Sequence, residues 1–165
     1  MNLEEWIEDI YNKRFLCEEY YFLFKRAKSD KDIIDIVLDA NGVFFLPKMA
    51  RLGHPLPEDA IIPRFESYIN GNYNPIYQSP MGGKFSSSIF CGFIGGIERL
   101  TTQMCILYSN CNIELAQWDY LRICSYNSNI TLRGDGFATI YDYGNNTITN
   151  DGNTQIKIIN DDRQL

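Results

Sequence analysis

The sequence holds one histidine, His54, and no Cys-x-x-Cys pair among its five cysteines, Cys17, Cys91, Cys105, Cys111 and Cys124. Zinc needs several Cys or His ligands at short spacing, and Cys105-x5-Cys111 alone does not supply them. A Cys–His nucleophile pair has no local support, because His54 sits in "RLGHPLPED", a turn between helices. No metal site and no cofactor are therefore expected. Apolar runs of membrane-spanning length are absent too: the uncharged stretch 85–97 is broken by glycine and serine and is too short to cross a bilayer. Positive charge is scarce. The net charge of −6 argues against free-standing nucleic-acid or acidic-membrane binding, which requires clustered Lys and Arg. "MNLEEWIEDI" is acidic where an export signal carries a basic region and an apolar run, so reduced thiols in a cytoplasm are expected. "GGKFSS" lacks the first glycine of a phosphate loop, its place being taken by Gln78, and no strand is expected before it.

What remains is a 165-residue chain, 45% apolar and 14% aromatic, enough for one ordinary domain or two small ones sharing an interface. Residues 1–72 read as a helical head. Leu3, Trp6, Ile7, Ile10 and Tyr11 form one apolar stripe, and Leu16, Tyr20, Leu23, Phe24 and Ala27 another, with "NKR" bending or separating them. In "SDKDIIDIVLDANG", Ser29 serves as N-cap and Asn41-Gly42 as a stop. "VFFLPKMARLG" is a weaker helix because Pro47 interrupts it, and "PEDAIIPRFESYING" is the last. The Pro-, Gly- and Ser-rich stretch 73–88 reads as a linker.

Residues 89–165 change period. From about Met104, pairs of apolar residues two apart restart every eight or nine residues: Met104/Ile106, Ile113/Leu115, Leu121/Ile123, Ile130/Leu132, Ala138/Ile140, Asn146/Ile148 and Thr154/Ile156. Each unit is a short strand that cannot bury its face alone, so the units must stack. Two such units further along the chain, Asp135-Gly136 returns as Asp151-Gly152 and Tyr126 returns as Tyr143. Alternate turns thus resemble each other, which favours a β-solenoid with two strands and about 16–17 residues per coil over an antiparallel meander. The fold expected is α+β, a helical head followed by a short β-solenoid.

That geometry sorts the outward residues into two faces. A polar ladder carries Asn112, Asn129, Thr131, Asn145 and Thr147, with Asn112, Asn129 and Asn145 expected one above another. Its amides serve either to brace the coils or to hold a saccharide. The other face carries Tyr120, Arg122, Phe137, Thr139 and Tyr141, to be covered by the head, a second copy or another protein. Glu4, Glu5, Glu8, Asp9, Glu18 and Glu19 form acidic pairs on the head and read as a solvated face.

"LCEEYYFLFKRAKSDKDIIDIVLDANGVFFL", "RFESYINGNY" and "CNIELAQWDYLRICSYNSNITLRG" resemble a loose group of short, uncharacterised proteins of Bacteroidetes and their phages and mobile elements, which join a helical head to short β repeats. The likeness would cover most of residues 14–150 and implies an intracellular accessory protein with no catalytic motif. The function expected is non-enzymatic binding of a host or self protein, in the form of an inhibitor of a host nucleic-acid-targeting defence system. Glu4, Glu5, Glu8, Asp9, Glu18 and Glu19 would mimic nucleic-acid charge, or Tyr120, Phe137 and Tyr141 would make the contact. A scaffold or ligand-binding module, including a homodimer, is the alternative. A small hydrolase lacks a convergent acid–base set.

Overall fold

A computed structural model describes residues 1–98 and 100–160. Five helices come first: α1 (Leu3–Asn12), α2 (Glu18–Arg26), α3 (Asp30–Val37), α4 (Gly42–Arg51) and α5 (Glu58–Phe65). Asn2 and Glu5 close a capping box at the start of α1, and Ser29 and Asp32 close another at α3. The α1 stripe buries Leu3, Trp6, Ile7 and Ile10. By contrast α2 buries no residue completely, and Leu23, expected inside, faces solvent with Phe22.

Asn41-Gly42 reads in the sequence as the end of α3; instead α3 stops at Val37, and Gly42 opens α4. A Cβ at Gly42 would collide with the carbonyls of Ile36 and Val37, so the glycine permits a tight α3–α4 corner. The helix α4 continues through Pro47 despite the lost hydrogen bond. Burial of Val43, Leu46, Met49 and Ala50 offsets that loss.

A β-solenoid of about four turns follows. Sheet one holds β1 (Ile76–Gln78), β2 (Lys84–Cys91), β4 (Gln103–Leu107), β6 (Tyr120–Tyr126), β8 (Phe137–Asp142) and β10 (Gln155–Asn160), in that order. Sheet two holds β3 (Ile94–Ile97), β5 (Asn110–Leu115), β7 (Asn129–Gly134) and β9 (Thr147–Asn150). All pairings are parallel except the antiparallel β1–β2 hairpin. The stretch 73–88 expected as a linker thus carries β1 and the first part of β2. Of the repeat region expected over 89–165, residues 161–165 lie outside the described residues.

Two strands per coil agrees with the repeat pattern, but the coils are less uniform in length than the sequence spacing implies. Successive stacked partners in sheet one are Ser87↔Gln103, Gln103↔Arg122, Tyr120↔Phe137 and Phe137↔Gln155, so the first coil is the shortest and the second the longest. Between the sheets lies the solenoid core, with Phe90, Met104, Ile106, Ile113, Leu121, Ile123, Ile130, Leu132 and Ile140 buried. Apolar period-two positions therefore face inward as expected. Asn146 does not: it sits in the corner before β9.

That corner holds the coils in register by polar bonds. Ser109 Oγ accepts from Phe93 N at 3.1 Å, Ser128 Oγ from Ser109 N at 3.2 Å, and Asn146 Oδ1 from Ser128 N at 3.0 Å. Each coil thus satisfies a backbone N–H of the coil before it, which the turning chain cannot pair with a strand neighbour. The opposite corner is sterically tight. Gly134 has φ +90°, and a Cβ there would strike the Leu115 carbonyl; a Cβ at Gly152 would lie 2.7 Å from Gly134 N. Glycine at 152 is required by close stacking, not by a left-handed turn.

The outer face of sheet one is the floor on which the head sits. Ile89, Cys91, Cys105, Leu107 and Cys124 join Trp6, Ile10, Val43, Leu46, Met49 and Phe65 in one buried cluster. Cys105 and Cys124, stacked in register, are fully buried small side chains.

Candidate functional site

The head covers only part of that face. Within sheet one the outward columns run Tyr120–Phe137–Gln155, Arg122–Thr139–Lys157 and Cys124–Tyr141–Ile159. At the Tyr141 end Phe44 of α4 meets the Tyr141 ring edge-on, with centroids 4.9 Å apart. Arg122 comes next, its guanidinium carbon 5.9 Å from the Phe44 centroid and 6.0 Å from that of Tyr141. Beyond Arg122 the cover ends. Tyr120 is 55% exposed and Phe137 39% exposed, and Trp118, in the turn leading into β6, is 86% exposed. Tyr120 and Phe137 are direct cross-strand neighbours, and the Tyr120 hydroxyl lies 3.1 Å from Thr139 Oγ1. The turn is held by Asp119, whose carboxylate accepts from Ala116 N at 2.7 Å. Tyr120 and Phe137, at the starts of the inner strands β6 and β8, and Trp118, two residues before Tyr120, thus form an aromatic ridge at this end of sheet one. Of the expected aromatic contacts, Tyr120 and Phe137 belong to it, while Tyr141 is taken up by the head. Trp118 is not among the residues expected from the sequence, although an indole inside the polar "AQWD" turn is a signal that it has no core to enter.

Most of the acidic head is already occupied. Glu4 pairs with Arg64 at 2.8 Å, Asp9 with Lys13 at 2.8 Å, and Glu8 with Lys25. Hydrogen bonds from Arg64 and from Lys25 are the main reason the Glu4 and Glu8 carboxyls lie below their ordinary range. The Glu5 side chain closes the α1 capping box. Among the described residues Glu18 and Glu19, in the first turn of α2, stand in solvent without an ion pair.

The polar ladder is displaced from its expected register. Asn112 stacks on Thr131 and not on Asn129; Asn129 stacks between Asn110 and Thr147. The reason is that the coil joining β5 to β7 is longer than the chain from Asn112 to Asn129, so the partner of Asn112 falls two positions further on. Asn145 leaves the ladder altogether, occupying a left-handed turn at φ 56° before β9. Among the described residues no side-chain hydrogen bond links Asn110, Asn112, Asn129, Thr131 or Thr147.

A larger cleft, about 860 Å³, opens where the head meets a solenoid corner, lined by Trp6, Asp9, His54, Glu58, Asp59 and Tyr108 among others. His54 Nδ1 is 3.6 Å from Asp9 Oδ2, and its ring lies 5.2 Å from that of Phe15. Burial raises the Glu58 carboxyl, and burial with the Glu58 charge pushes Tyr108 up to about 12. No cysteine lines this cleft. Among the described residues no group of three or more His, Cys, Asp or Glu could hold a metal ion, and no helix is long and apolar enough to cross a membrane. No protein-family model, curated protein or solved structure matches the chain.

Proposed function

We propose that the chain is a non-enzymatic binding protein that docks another protein through the Trp118–Tyr120–Phe137 ridge. The observation that carries this reading is the end of sheet one beyond the head, where Trp118 stands in water and Tyr120 and Phe137 are left partly exposed. Full burial of an exposed ring of this size is worth roughly 2–3 kcal/mol. Trp118 has most of that still to gain and the partly covered Tyr120 and Phe137 a share of it, so a partner covering all three gains an anchor of the kind that dominates protein interfaces. Tyr120 and Phe137 stand on paired strands and the turn that carries Trp118 is braced by Asp119, which lowers the ordering cost of association. Either a second copy or a different protein fits such a ridge, and light scattering separates the two. A self-interface gives an oligomer that Phe137→Asp converts to monomer; a heterologous interface gives a monomer with or without the substitution. An oligomer indifferent to Phe137→Asp contradicts a self-interface at the ridge.

A second reading, inhibition of a host nucleic-acid-targeting defence protein by a phage or mobile-element product, is supported by the resemblance, by the net charge of −6 and by α2. That helix presents Glu18 and Glu19 beside the exposed Phe22 and Leu23. With Glu4, Glu8 and Asp9 internally paired, any mimicry of nucleic-acid charge falls on α2. Competition with nucleic acid for a nuclease, weakening as salt rises and lost in Glu18→Lys/Glu19→Lys, tests it; salt-insensitive binding refutes it.

A further inference from the structure

Among the described residues five side-chain polar atoms are buried without a hydrogen-bond partner: Asn74 Oδ1, Ser87 Oγ, Gln103 Oε1, Arg122 Nε and Ser125 Oγ. Three of them fall in one column, because Ser87 pairs with Gln103 and Gln103 with Arg122 across β2, β4 and β6. Buried polar groups are almost always paired, since an unpaired one loses its hydration for nothing. Three in a row at one place therefore call for an explanation.

Two of the three, Gln103 and Arg122, line a cleft of about 350 Å³ that Ser87 does not reach, walled by Phe85, Tyr120 and Ser79 of the β1–β2 turn. Gln103 is only 6% exposed. The two unpaired atoms are complementary in kind. Arg122 Nε–H donates and carries charge, whereas Gln103 Oε1 accepts. Arg122 forms no ion pair among the described residues. Its guanidinium carbon lies 5.9 Å from the Phe44 centroid and 6.0 Å from that of Tyr141, and a guanidinium beside aromatic rings still has in-plane N–H donors with which to grip a carboxylate.

We propose that this cleft binds the C-terminal carboxylate of a peptide. The carboxylate sits on the Arg122 guanidinium, the terminal residue's amide N–H donates to Gln103 Oε1, and its side chain lies against Phe85 and Tyr120. Adjacent strands are about 4.8 Å apart, and a chain terminus carries its carboxylate and its last N–H on either side of one Cα, so both groups reach their partners together. An internal peptide segment or a side-chain amide offers only half of this pattern. The cleft abuts the ridge at Tyr120, yet its ligand chemistry does not depend on the ridge having a partner.

Two acetylated pentapeptides of one sequence ending in Phe, one with a free carboxylate and one amidated, test this by titration calorimetry on the full chain. The acid is expected to bind on the order of tenfold or more tightly than the amide, the worth of a charge-assisted hydrogen bond. Arg122→Gln abolishes the preference. Gln103→Glu supplies Arg122 with a carboxylate from within; it is expected to block the acid and raise the melting temperature, which also certifies folding if Arg122→Gln proves unstable. Equal affinity for acid and amide, no saturable binding of the acid, or binding that survives Gln103→Glu overturns the proposal. Trp118→Ala lies outside the cleft and leaves the acid preference intact, so failure of the ridge reading and failure of the cleft reading are distinguishable.

Discussion

Ser128→Ala removes one oxygen from the corner column that fastens successive coils. Ser128 is 3% exposed, and its Oγ accepts from Ser109 N at 3.2 Å while donating to Tyr126 O at 3.0 Å. Deleting it leaves the Ser109 N–H buried with no acceptor. The Tyr126 carbonyl loses less, because it still accepts from Tyr108 N at 3.2 Å. One orphaned buried donor costs about 1–3 kcal/mol, and the vacated space is smaller than a methyl group. A destabilisation of about 2 kcal/mol follows, a fall in melting temperature of roughly 4–8 °C for a domain of this size. Urea unfolding followed by circular dichroism reads it, with Thr147→Ala as reference. Thr147 is exposed on the outer face of sheet two and makes no side-chain bond to lose, so that change is expected to stay within about 0.5 kcal/mol. If Ser128→Ala costs no more than Thr147→Ala, the corner column does not hold the coils as described.

Thiol chemistry and acid titration give two further tests. Burial pushes the Cys91 thiol up to about 12 and Cys111 up to about 11, and raises Cys105 and Cys124 as well, whereas Cys17 is exposed. At neutral pH a maleimide should label Cys17 alone in the native protein and all five thiols after unfolding; a fast Cys91, Cys105 or Cys124 contradicts the packing of the head on sheet one, and a fast Cys111 contradicts the closed core between the sheets. The hydrogen bond from Arg64 depresses the Glu4 carboxyl in the folded state, so its contribution is complete above the unfolded value near 4.5 and is lost as pH falls through the folded value. Glu4→Gln is therefore expected to cost at most about 0.5 kcal/mol at neutral pH, given how exposed the pair is. That difference should shrink on acidification below the unfolded value; a difference that grows there refutes the pairing.

The solenoid was legible because a two-strand coil forces apolar side chains such as Ile113, Leu132 and Ile140 inward at period two, and nothing else in the chain repeats that way. Register was less legible. Spacing placed Asn129 on Asn112, but the turn at 116–119 lengthens one coil, and a change of turn length shifts all the side-chain neighbours that follow. Ser109, Ser128 and Asn146 belong to one column only when the unequal coil lengths are known, and their shared role hides behind two residue types. Gly42 misled because a glycine after an asparagine reads as a helix stop, whereas here it admits two close helices. The candidate surface was half visible. Alternation put Tyr120 and Phe137 outward, but where the head would stop depends on α4 docking by Phe44, a long-range contact. Arg122 and Gln103 lie a full coil apart along the chain and carry no motif, so only the stacking of β4 on β6 brings them together.

The proposed docking role of the ridge is tested most directly by placing a photo-crosslinking amino acid at position 118 and, separately, at position 147 on sheet two, and irradiating cells of the natural source. A discrete adduct from position 118, absent from 147 and lost when Phe137→Asp is added, is the expected result. Equal adducts from both positions, or none from 118 under conditions where the protein is abundant and folded, would contradict the ridge as the surface through which this protein works.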